Sequence, residues 1–81
     1  MSKNPYRQDR EELKELLQLY SNLKSGKNNS YIEEEGFERI VDYYDEKEQF
    51  TDALEAVNMA IGQYPYSGTL LIKKADLLIS L

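Results

Sequence analysis

Apolar residues recur at spacings of three and four along almost the whole chain, and the pattern breaks at only three places: around Gly26, over the charged stretch 45–49, and at Pro65. A period near 3.6 marks helices with one buried face, and short polar connections between such helices favour antiparallel neighbours. The chain is therefore read as all-α, with about four helices. The first runs over 5–26, where Asn4 precedes Pro5 at the start, Gly26 closes the end, and Leu13, Leu16, Leu17, Tyr20 and Leu23 form one stripe. Arg10, Glu11, Glu12, Lys14 and Glu15 form its solvated face.

Ser30 with Glu33 three positions on is a capping-box pattern and predicts the start of a second helix, whose stripe is Phe37, Ile40, Val41 and Tyr44. A third helix is predicted from Phe50 or Thr51 to Tyr64, ahead of Pro65, with Ala53, Leu54, Val57, Ala60 and Ile61 inward. Ser67 is placed to cap a fourth that continues to Leu81. This last helix carries Leu70, Leu71, Ile72, Ala75, Leu77, Leu78, Ile79 and Leu81 around most of its circumference, so it calls for contacts on more than one side.

Composition narrows what such helices can do. With 81 residues the chain holds one domain at most, and its core is thin. It has no cysteine and no histidine, which removes disulfides and the usual soft-ligand zinc sites. Fifteen acidic residues against ten basic ones give a net charge of −5, which repels phosphate backbones and anionic lipid, so neither nucleic acid nor membrane is an expected partner. The polar N-terminus lacks the apolar run of a secretory signal, and no stretch is long and apolar enough to span a bilayer. A soluble, unprocessed, cytoplasmic protein is expected.

Nothing in the chain supplies a nucleophile–base pair or a glycine-rich phosphate loop, so no catalytic residue, cofactor or metal is expected. Glu33, Glu34 and Glu35 are consecutive and point in different directions along a helix. They read as an acidic cluster favouring the positive end of the helix dipole. Tyr64-Pro65-Tyr66 and Tyr43-Tyr44 offer aromatic contact area, with Tyr43 the one left open as a surface contact.

Counted from Glu34, the segment through Ser67 resembles one tetratricopeptide repeat. Phe37, Ile40 and Tyr44 stand at the large positions of its first helix, and Phe50 at the aromatic place of the turn. Ala53 and Ala60 are the small positions and Val57 the large one of its second helix, and Pro65 closes the unit. The pattern restarts at Gly68, with Leu71, Ala75 and Leu78 in the corresponding places. Val41, where glycine or alanine is usual, and Lys74, where leucine is usual, depart from it.

The resemblance implies a right-handed superhelical stack of antiparallel helix pairs: a packing helix over 5–26, one repeat over 34–67, and the first helix of a following repeat over 68–81. It implies a scaffold or adaptor that binds a peptide or helix, and a fragment of a longer array. Its groove would be lined by Glu35, Glu38, Arg39 and Asp42, then Asp45 and Glu46, with Tyr43 alongside. That face is mostly acidic, and Arg39 and Lys73 take the asparagine place used by repeats that clamp a C-terminal carboxylate. A basic or amphipathic partner is therefore expected. Leu70, Leu77 and Leu81 are assigned to an assembly face that meets further repeats or another copy of the chain. A small self-associating helical bundle with a structural role remains the alternative.

Overall fold

A computed structural model describes residues 5–27 and 31–81, with side chains from Asp9 onward. The described residues form four helices and no strands: α1 Pro5–Lys24, α2 Glu34–Glu46, α3 Phe50–Gln63 and α4 Gly68–Ser80. They fall into two compact units, Met1–Ile32 and Glu33–Leu81.

In the first unit α1 shows its stripe as read from the sequence. Leu13, Leu16, Leu17 and Leu23 are half-buried and Tyr20 almost wholly buried, while Arg10, Glu11, Glu12, Lys14 and Glu15 are exposed. Lys24 in the last turn suits the negative end of the helix dipole and holds its ammonium 5.1 Å from the Tyr20 ring centroid. Gly26 follows with φ 76°, its N–H donating to the Leu23 carbonyl while the Lys27 N–H reaches the Asn22 carbonyl. This pair of bonds is a Schellman closure, and glycine takes its left-handed position without a Cβ clash. The predicted Asn4 cap lies outside the described residues.

In the second unit α2 begins at Glu34, later than the Ser30–Glu33 box implies. Ser30 lies outside the described residues, and Tyr31 to Glu33 are not helical. Glu33 is itself the N-cap, extended at φ −70° and ψ 161°, without a side-chain capping bond. Its carbonyl accepts from the Phe37 N–H at 3.0 Å, and Glu34 and Glu35 lie in the positive first turn. Phe37, Ile40 and Val41 are buried on the predicted stripe and Tyr44 is half-buried beside them. Each of the three fully buried side chains stabilises the unit by roughly 1.5–3 kcal/mol relative to an exposed position.

α2 ends in a second Schellman closure: Glu48 N–H to the Asp45 carbonyl and Gln49 N–H to the Tyr44 carbonyl, both 2.9 Å. Here the left-handed residue, φ 59°, is Glu48 rather than glycine. α3 then buries Ala53, Ala56, Val57 and Ala60. Leu54 and Ile61, read as inward, are half-buried at the margin of that stripe. α3 stops at Gln63 with Tyr64 as its C-cap, one residue ahead of Pro65, because the residue before proline is pushed out of helical geometry.

Helix directions follow from contacts between their ends. The Phe37 ring, in the first turn of α2, meets Tyr64 at the end of α3 edge-on, with centroids 6.2 Å apart and planes at 69°. Glu34 and Gly68, at the starts of α2 and α4, line one recess. So α3 runs antiparallel to both neighbours, and α2 and α4 run the same way. α3 packs extensively on α2 and on α4, while α2 and α4 touch more lightly. The four small or β-branched residues of α3 lie in the middle of this arrangement and let the helices approach closely.

Candidate functional site

The outward face of α2 carries Glu35, Glu38, Asp42 and Asp45, spaced so that all four lie along one side of the helix. Glu35, Asp45 and Glu46 are exposed; Glu38, Arg39 and Asp42 are half-buried. The Lys73 ammonium of α4 donates to the Asp42 carboxylate at 2.6 Å, with side-chain exposures of 24% and 50%. A pair this open to water contributes about 0–1 kcal/mol, so its main effect is geometric. It ties the middle of α4 to the outward face of α2, and it neutralises one acid of the stripe. Lys73 is thus committed to Asp42. Asp42 and Lys73 stand 31 positions apart on different helices, and nothing in their local sequence marks them as partners.

Tyr43 is less open than the sequence suggests. Its ring is half-buried, edge-on to Tyr44 at a centroid distance of 5.1 Å, and the Lys47 ammonium lies 5.1 Å over its face. Tyr64 is half-buried through its contact with Phe37, whereas Tyr66 is 97% exposed at the mouth of an open recess of about 410 Å³ between Glu34 and the α3–α4 connection.

The assembly face requires a correction. Leu70 is 0% and Leu77 2% exposed: they are core residues of the second unit, turned inward where α4 packs on α3. Leu81, 61% exposed, is the C-cap on that same side of the helix but past its packed length. The open apolar surface of α4 is Leu71, Ile72, Ala75, Leu78 and Ile79. A helix that is apolar nearly all round gives no sequence signal for which side its neighbour takes, so the burial of Leu70 and Leu77 is not legible from the spacing.

Among the described residues no grouping of three acidic side chains is arranged to hold a metal ion, and no helix is long and apolar enough to cross a membrane. No protein-family model, curated protein or solved structure is similar enough to the chain to match it.

Proposed function

We propose that the chain is an interaction scaffold of the tetratricopeptide type, with a right-handed superhelical stack of helix pairs and a binding rather than a catalytic role. The observation that supports this reading is the order and direction of the second unit: α2 antiparallel to α3, then α4 parallel to α2 and packed on α3. This is the arrangement in which α4 is the first helix of a further repeat, its residues 34 positions beyond those of α2.

The partner segment lies along the outward face of α2 and is basic or amphipathic, because Glu35, Glu38, Asp45 and Glu46 present negative charge that the Asp42–Lys73 pair does not cancel. Glu35 and Glu38 are the residues to change, since reversing Asp42 would place a like charge against Lys73. A fluorescent amphipathic peptide with lysines along one face is titrated by anisotropy at low salt, beside the same peptide with glutamates. The reading requires binding of the lysine peptide only, and at least a tenfold loss in Glu35→Lys/Glu38→Lys with helicity intact. Equal affinity for both peptides, or no effect of the double reversal, overturns it.

A further inference from the structure

α2 and α4 hold equivalent places in the fold, so differences between them 34 residues apart show what each surface meets. Leu71, Ala75 and Leu78 of α4 correspond to Phe37, Val41 and Tyr44 of α2, on the side that α3 covers in the first pair. Ile72 and Ile79, however, stand where α2 has Glu38 and Asp45, and they are 65% and 84% exposed. The open stripe of α4 is therefore broader than the face a helix like α3 covers. Half-buried Lys74 and exposed Asp76 border it on its two sides, a charged rim around an apolar centre.

The stripe is also symmetric along the helix. Ala75 stands at its middle, with Leu71 and Ile72 at four and three residues before it and Leu78 and Ile79 at three and four after. A small residue between large ones lets two helices approach closely where they cross, with the large side chains closing above and below it, and a two-fold axis through that crossing sets the same stripe on both sides of the contact. The five side chains leave on the order of 500 Å² open per chain, or about 1,000 Å² for a pair, which is the low end of specific interfaces and at the upper end of the patches monomers tolerate. We infer that α4 is a self-association interface, on which α4 of a second copy of this chain packs, crossing at Ala75, in a weak and reversible dimer.

This inference goes beyond the groove reading and uses different residues. Sedimentation equilibrium of the 81-residue chain from about 10 µM to 1 mM should show the mass rising from one chain to two. Leu78→Glu/Ile79→Glu, at positions open enough for α4 to fold without them, should weaken association at least tenfold while leaving the circular dichroism unchanged. Since the chain lacks cysteine, Ala75→Cys gives a second readout: under mild oxidant it should cross-link to dimer well ahead of Ser80→Cys, which lies off the stripe. A mass of one chain throughout, a dimer indifferent to the double glutamate variant, equal cross-linking at the two cysteine positions, or growth beyond two chains each overturns the inference. Lysine-peptide binding that survives in the glutamate variant separates its failure from that of the groove reading.

Discussion

Ala60→Leu tests whether α3 is as tightly enclosed as its position between α2 and α4 implies, because the sign of the effect depends on the packing. Ala60 has no exposed surface, and its carbonyl also accepts from the capping Tyr64 N–H at 2.8 Å. Leucine adds three carbons. If they found room, burying them would stabilise the unit by about 2.4 kcal/mol at ~0.8 kcal/mol per methylene. If the helices are already in contact across Ala60, they force off-rotamer side chains or a backbone shift, at a net cost of about 1–3 kcal/mol. The structure requires the second outcome.

For a domain of this size each kcal/mol moves the midpoint by roughly 4–8 °C, so a fall of at least about 4 °C is expected. Urea denaturation followed by circular dichroism at 222 nm gives the free energy directly, and an unchanged m-value shows that the denatured state is not responsible. An increase in stability would mean a loose α3 interface, and the close-approach role of the alanines would be wrong. Ala53→Leu is the companion variant, since Ala53 is equally buried one face-repeat earlier.

Two further perturbations concern the helix ends. Glu48→Gly should stabilise the chain by up to about 1 kcal/mol, because the left-handed conformation costs a non-glycine residue roughly 1–2 kcal/mol and glycine's greater unfolded-state entropy returns part of that; a rise in the thermal midpoint checks it, and a fall would mean that the Glu48 side chain contributes more than its backbone costs. Ser67→Ala should cost about 0.5–2 kcal/mol, since the hydroxyl accepts from the Leu70 N–H at 3.2 Å, and Ser67→Gly should cost only a few tenths; amide exchange in the first turn of α4 should accelerate in the alanine variant alone.

The core of α2 and α3 was legible because each helix carries a one-sided stripe: Phe37, Ile40, Val41, Ala53, Val57 and Ala60 are all buried as their spacing predicts. Ser67 was legible for a local reason, its hydroxyl lying one turn before the amide it caps. The end of α2 was not, because its left-handed residue is expected to be glycine or asparagine and residues 47–49 contain neither. Its start was misplaced because the residue pattern of a capping box does not report that Ile32, buried to 1% exposure, belongs to a non-helical stretch. The surface residues Glu35, Glu38 and Asp42 fell on one face as expected, but the partner of Asp42 depends on how α4 is rotated.

That rotation is the point on which both functional readings turn. With apolar residues all round, α4 could bury either Leu70 and Leu77 or Leu71 and Leu78 against α3, since the transfer energies of four leucines do not distinguish the choices. Lys73 does distinguish them. With Leu70 and Leu77 inward, Lys73 falls within reach of Asp42 and Lys74 lies half-buried at the opposite margin. The opposite rotation would carry Lys73 away from α2. Lys74 does not discriminate, because it stands about 50° around the helix from either leucine pair and lies at a margin of the packed face in both rotations. The Lys73–Asp42 pair thus goes with Leu70 and Leu77 inward, and the remaining apolar residues are left as the outward stripe centred on Ala75.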